Sequence, residues 1–259
     1  MRLNTRLQLI GRLRENLKLG GVSVGSWMQI PSSSLAEIMG YAGYDWIAID
    51  MEHGAFSVDQ LPDLFRAIEL GDCLPLVRLA DGSMVECKRA LDSGAGGVII
   101  PMIKSAEQLR QVRDVCCWPP SGERGVGFSR ANLFGKNFES YREEAQAPLL
   151  IAMIENIEAI KNIEEILKVD GLDAILIGPY DLSASMGITG DFKNQLFIGA
   201  IEKVKSLCMR LKIPFGLHIV TPDIAALRSS IADGSQFIAY GVDGVFMNAA
   251  CACPNLKKL

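Results

Sequence analysis

The sequence is poor in several things that would have narrowed its function at once. Its 259 residues include only two histidines, His53 and His218, and seven cysteines, an odd number with no Cys-x-x-Cys pair. A His/Cys zinc site and a disulfide framework are both disfavoured by that inventory, and free thiols in a reducing, cytoplasmic setting are expected. Cys251-x-Cys253 has no companion Cys or His cluster and is expected to be a pair of ordinary thiols. No apolar run approaches the roughly 20 residues a membrane span needs, and the first twenty residues alternate polar and apolar side chains like a surface helix rather than an export signal. Membrane is therefore not an expected partner. The net charge is −4, with acids and bases interspersed, so there is no basic stripe for nucleic acid to follow.

Two further absences bear on chemistry. No Gly-x-Gly-x-x-Gly fingerprint accompanies the first apolar run, which removes the usual signal for a dinucleotide. No lysine lies within any of the apolar runs. Lys104, just after Pro101-Met102-Ile103, sits at what looks like the exposed start of a helix. A Schiff-base mechanism needs a desolvated lysine and is disfavoured.

What is present is a periodic alternation. Eight short apolar runs occur, at 21–27, 45–50, 74–79, 96–102, 149–155, 173–178, 214–219 and 237–242, separated by amphipathic segments of helical length. Strands apolar on both faces, alternating with helices, imply a parallel sheet with covered faces, and eight of them predict a closed (β/α)8 TIM barrel. The chain is expected to be one catalytic domain, 1–259, with residues 1–20 forming a helix that packs on the barrel. Ser32, Ser83 and Ser105 stand where helices should begin, and Gly43, Gly94 and Gly171 where they should end. Residues 103–148 form a longer excursion with a Pro- and Gly-rich middle, of the kind that serves as lid, substrate wall or subunit contact.

Barrel enzymes place their chemistry at the C-terminal ends of the strands. That rule selects Asp50, Glu52 and His53 after the second run, Arg78 in the third, Glu155 at the end of the fifth, Asp181 after the sixth and His218 in the seventh. Glu155 and Asp181 end neighbouring strands and are either ligands of a divalent cation or N-caps of the helices that follow. Arg78, charged within an apolar strand, is either an oxyanion-binding group or the partner of a structural ion pair with Asp50 or Glu52. His53 is either a general base or a hydrogen-bonded loop residue. His218 reads best as a core or pocket-wall histidine.

The segments DWIAIDMEHG, PLVRL, ALDSGAGGVIIPM, ERGVG, IEN and IGPYDLSASMG occur in an order that resembles the HpcH/HpaI family of class II, metal-dependent pyruvate aldolases, across roughly residues 10–245. The resemblance implies a divalent metal (Mg, Mn or Co) on Glu155 and Asp181, and pyruvate cradled by backbone around Gly178 and Pro179. It further implies Arg78 steadying an enolate, and His53 as catalytic base, directly or through a metal-bound water, paired with Asp92. It also implies a homo-oligomer, a hexamer built from dimers that exchange a C-terminal helix. The expected reaction is cleavage or formation of a 4-hydroxy-2-oxo acid, sugar-derived, by way of pyruvate enolate and an aldehyde. Met153 departs from the family pattern, which has Gln there in many relatives, and the substitution removes a polar contact. Oxaloacetate decarboxylation, CoA-ester cleavage and a catalytically silent barrel are the competing functions. The last predicts losses among His53, Arg78, Asp92, Glu155 and Asp181, and none is lost.

Overall fold

Successive side chains of a strand point to opposite faces, so in a closed sheet alternate residues fall inside and outside the barrel. The computed structural model describes residues 5–251 and shows this rule applied eight times. Strands β1 (Ser23–Met28), β2 (Trp46–Asp50), β3 (Leu74–Arg78), β4 (Gly97–Ile100), β5 (Leu149–Ile154), β6 (Ala174–Ile177), β7 (Phe215–Ile219) and β8 (Phe237–Val242) pair in sequence order. All pairs are parallel, and β8 returns to β1 to close the barrel.

Trp46 and Ala48 of β2, Leu74 and Leu76 of β3, and Leu149, Ile151 and Met153 of β5 fill the interior. Their neighbours Ile47, Ile49, Val77, Leu150 and Ala152 pack outward under the helices. Gly25 on β1 is required by this packing, because a Cβ there would come within 2.0 Å of the Trp46 ring. Trp46 in turn stacks on Phe237 with ring centroids 4.6 Å apart.

The helices begin where short polar side chains can receive their first amides. Ser32 caps α2 (Ser33–Gly40), Ser83 caps α4 (Met84–Ser93) and Ser105 caps α5 (Ala106–Cys116). Helix α3 (Leu61–Glu69) lies between α2 and α4. Gly94 ends α4 in the left-handed region, φ 107°. The remaining helices are α6 (Phe138–Gln146), α7 (Ile157–Ile166), α8 (Pro179–Ser185), α9 (Gln195–Leu211), α10 (Ile224–Ala232) and α11 (Asp243–Ala250). None of the described helices is long and apolar enough to cross a membrane.

Helix α1 (Arg6–Lys18) closes the N-terminal end of the barrel, its floor, with buried Leu9, Ile10, Leu13 and Leu17 in the interior cluster. The 103–148 excursion also belongs to the floor and is no lid. Helix α5 has already carried the chain away from the C-terminal mouth before the Pro- and Gly-rich loop begins, and that loop packs against α1. Arg6 donates to the carbonyl of Ala131 at 2.6 Å and to Glu144 of α6 at 2.7 Å. Residues from 252 onward, including Cys253 and any exchanged C-terminal segment there, lie outside the described residues.

Candidate active site at the barrel mouth

The inward parity that buries Trp46 and Ala48 carries on to Asp50, and the parity of Leu74 and Leu76 carries on to Arg78. Register sets Asp50 directly beside Arg78. The two form a bidentate pair, Nε donating to Oδ1 at 2.8 Å and Nη2 to Oδ2 at 2.6 Å. Such a fork is the strongest common carboxylate contact. Gln29 donates to the same carboxylate at 2.8 Å, and the backbone amides of Glu52 and His53 each reach it at 3.2 Å. Burial pushes the Asp50 carboxyl up, but the Arg78 fork and these donors outweigh it and hold the group below its ordinary value. The face of the guanidinium lies over Trp27, 4.7 Å from the ring centroid. Its remaining nitrogen, Nη1, has Glu52 at 3.1 Å and the sulfur of Met153 at 4.0 Å. His53 is exposed beside them, with Nε2 4.0 Å from Glu52.

Across the mouth, Ile154 pairs with Ile177, so the next residues, Glu155 and Gly178, lie side by side. Glu155 is buried, at 2% exposure. Its Oε1 accepts the backbone N–H of Met102 at 2.6 Å. Met102 holds a left-handed conformation, φ 54°, which is strained for a residue with a side chain and is what aims its amide at the carboxylate. The other oxygen, Oε2, faces Gly178, where a Cβ would come within 2.6 Å of it. Burial pushes the Glu155 carboxyl up to about 7; the Met102 amide opposes that rise, and the charges of Glu52 and Asp181 add to it.

Asp181 is exposed and reaches the mouth from the first turn of α8 rather than from a strand end. Neither carboxylate is a helix cap. Asn156 caps α7, accepting from Glu158, and α8 begins at Gly178 with no side-chain capping bond.

A family model described as HpcH/HpaI aldolase/citrate lyase matches residues 23–250. The chain belongs to this family. A hydroxypyruvate/pyruvate aldolase from Roseobacter denitrificans is 35% identical over 238 residues, 90% of this chain and 91% of that protein. A 2-keto-3-deoxy-L-rhamnonate aldolase from Escherichia coli is 36% identical over 245 residues, 93% and 91% of the two chains. Among solved structures, an HpcH/HpaI aldolase/citrate lyase family protein from Burkholderia cenocepacia superimposes with a TM-score of 0.86 at 29% identity, covering 92% of this chain and 95% of that one. The protein is thus an enzyme, a carbon–carbon lyase of the aldolase kind.

Not every residue singled out in this HpcH/HpaI sequence meets the others. Asp92 lies in the last turn of α4, about 12 Å along the helix from its start at the mouth side, and its carboxylate is 3.7 Å from the buried Arg124. Within one chain it is not a neighbour of His53. His218 does point inward, and its Nε2–H donates to the carbonyl of Gly241 at 3.0 Å, the only sense available when the partner is a carbonyl. Burial lowers its pKa to about 4 despite that bond, so it is a neutral wall of the pocket. The amide of Gly178 is engaged by Ile154 at 3.2 Å, and Pro179 has none. The next two amides, those of Tyr180 and Asp181, lie in the first turn of α8, where a helix leaves its amides without intrahelical partners. Trp27 and Gln29 belong to the site and strand parity could have found Trp27, two residues beyond Gly25. Met102 acts through its backbone, and no side-chain signal marks it.

Proposed function

We propose that this HpcH/HpaI family member is a class II aldolase, cleaving or forming a sugar-derived 4-hydroxy-2-oxo acid by way of pyruvate and an aldehyde with the help of a divalent metal. The observation that carries the proposal is the imbalance of charge at the mouth. Glu52, Glu155 and Asp181 converge there, while the Arg78 guanidinium among them is forked on Asp50 and has only its Nη1 left, toward Glu52 at 3.1 Å. Like charges so placed are costly without a cation. One oxygen of Glu155 is held by Met102, and the other faces a glycine whose missing Cβ leaves it room. Among the described residues no cluster of three or more His, Cys, Asp or Glu side chains stands ready to enclose a metal. A two-carboxylate site, with water and substrate as the other ligands, fits a hard divalent cation (Mg, Mn or Co). Held by Glu155 and Asp181, such a cation would serve as a Lewis acid toward the keto oxygen of a 2-oxo acid.

The chain's own residues supply the rest. Asp50 and Trp27 fix Arg78, whose guanidinium stabilises negative charge on the enolate oxygen. His53 stands at the open side of the mouth. In condensation it accepts a proton from the pyruvate methyl group; in cleavage it returns one to the same carbon. The sugar-derived substrate class is supported by the relative named for 2-keto-3-deoxy-L-rhamnonate, 36% identical. The implied pairing of Asp92 with His53 requires a second copy of the chain, so it stands or falls with the proposed homo-oligomer, a hexamer built as a trimer of dimers. Six free cysteines among the described residues accord with a cytoplasmic setting.

Pyruvate release measured over a panel of 4-hydroxy-2-oxo acids, with and without chelator, tests the proposal. Cleavage that stops with chelator and with Glu155→Ala is expected. Chelator-resistant cleavage, or no pyruvate from any panel member, overturns it.

A further inference from the structure

We infer that Asp243, the first residue of α11, is a positioning residue for Arg78, acting through Gln29 and Asp50; for what Arg78 does, the inference rests on the aldolase proposal above. Simple alternation along β8 does not account for where Asp243 lies. Ala239 and Val242 both belong to the barrel interior although they are three positions apart, so the strand carries one residue more than alternation allows. The register with β1 shifts at the same place, between Gly25 and Trp27. Gly241 sits in this bulge at φ 72°, and a Cβ on it would come within 2.2 Å of the Phe246 ring. Bulges re-aim the side chains that follow them. Val242 comes to lie beside Trp27, and Asp243 meets the short loop 29–32 that leads from β1 to α2.

Asp243 is buried, at 1% exposure. Its Oδ1 accepts the amides of Gln29 at 2.9 Å and Gly244 at 2.7 Å, and its Oδ2 accepts those of Ile30 at 2.8 Å and Gln29 at 3.0 Å. A buried carboxylate is costly unless its lone pairs are used, so these bonds fix the loop as firmly as they fix the acid. Gln29 carries the constraint into the site. Its side-chain amide donates to Asp50 Oδ2 at 2.8 Å, the oxygen that also accepts Nη2 of Arg78 at 2.6 Å. The two backbone donors to Asp50, from Glu52 and His53, both reach Oδ1. Without Gln29, Oδ2 keeps Arg78 alone, and the carboxylate can turn toward the amides on Oδ1. A fork needs both oxygens in the plane of the guanidinium, so Arg78 would keep its charge but lose its aim at the enolate oxygen.

Asp243→Asn sets an NH2 group in place of one accepting oxygen, against the loop amides. Gln29→Met keeps the length of Gln29 and removes its donor. In exchange of pyruvate methyl protons for deuterium, which needs no aldehyde, each is expected to lower kcat about tenfold, because small displacements of a group that touches the transition state cost that much or more. KM for pyruvate should stay within about threefold. The double variant decides the route: acting through Gln29, Asp243→Asn adds less than about twofold to the loss from Gln29→Met, whereas independent losses multiply to about a hundredfold. In protein labelled with 15N-arginine and free of metal, the Nε–H signal of Arg78, assigned with Arg78→Lys, is expected to shift and to exchange faster with water in both single variants. If Asp243→Asn does not fold, Asp243→Ser, whose hydroxyl accepts one amide, takes its place in the same cycle. Multiplied losses, a kcat unchanged in either single variant, a loss confined to KM, or an unmoved Arg78 signal would each overturn the inference. If wild type exchanges no protons with Mg, Mn or Co, the aldolase proposal fails, while the Arg78 signal still decides whether Asp243 holds the fork.

Discussion

At the floor of the barrel Arg6 lies between Glu144 and Glu69, Arg130 meets the second oxygen of Glu69 at 2.5 Å, and Arg14 forms a fork on Asp173 at 2.6 and 2.9 Å. At the mouth Arg78 forms an equally good fork on Asp50 and also has Glu52 at 3.1 Å, while Glu155 and Asp181 add two further negative charges. Both ends bury ionic groups, and only the floor balances them. Folding alone explains a balanced network, which joins α1, α3, α6 and the 103–148 excursion. It does not explain an unbalanced one, which costs stability and persists where chemistry needs the charge.

If that contrast is right, removing a charge should have opposite consequences at the two ends. The largest effect is expected at the floor. Arg6→Ala strands Glu144, a buried carboxylate that burial already pushes up and that Arg6 chiefly offsets. Breaking a buried pair from one side costs roughly 3 kcal/mol or more. Chemical denaturation should show that loss, while kcat per folded molecule stays at the wild-type value. A loss of kcat without a loss of stability would contradict the assignment of the floor to structure.

At the mouth the sign reverses. Glu155 has an ordinary carboxyl value of 4.5 when unfolded and about 7 when folded. Between these values the folded state binds more protons than the unfolded one, so stability falls as pH rises from about 4.5 to about 7 and is level above that. The ionised side chain then opposes folding by up to about 3 kcal/mol. In the presence of chelator, Glu155→Gln should therefore melt higher than wild type at pH 8 and converge with it near pH 4.5; with divalent metal supplied, it should lose cleavage activity about a thousandfold. A Gln variant less stable than wild type at pH 8 would mean that Glu155 is held by partners that fully compensate its burial.

The difference between the ends was only partly legible in the sequence. The eight apolar runs correspond to the eight strands because parity and burial act locally, within a few residues of chain. The rule that barrel chemistry sits at the C-terminal ends of strands brought Asp50, Arg78, Glu155 and His218 forward, and strand parity is what turns them inward. The floor network was not legible, since Arg6, Glu69, Arg130 and Glu144 are far apart in the chain and each reads as a solvated surface charge. Met102 was invisible for another reason: its contribution is a positive φ and an amide, and neither depends on what its side chain is. Asp92 resembled a site residue by motif, but α4 carries it away from the mouth, a matter of helix length and direction rather than of residue type.

The smallest expected effect concerns Met153, which faces Nη1 of Arg78 at 4.0 Å through sulfur, a weak acceptor. Met153→Gln would offer an amide oxygen to a nitrogen that now has only the poorly aligned Glu52 beside it. One hydrogen bond to a charged donor contributes about 1.5 kcal/mol or somewhat more, partly offset by burying the amide. The net result should be a change of less than tenfold in kcat/KM for pyruvate exchange and a stability within about 1 kcal/mol of wild type. The direction matters more than the size. If Nη1, with Glu52 at 3.1 Å on one side, has room for a second acceptor, Gln tightens the hold on Arg78 and kcat/KM rises. A destabilisation above about 2 kcal/mol would show instead that the buried amide finds no donor, and that Nη1 is already fully engaged by Glu52.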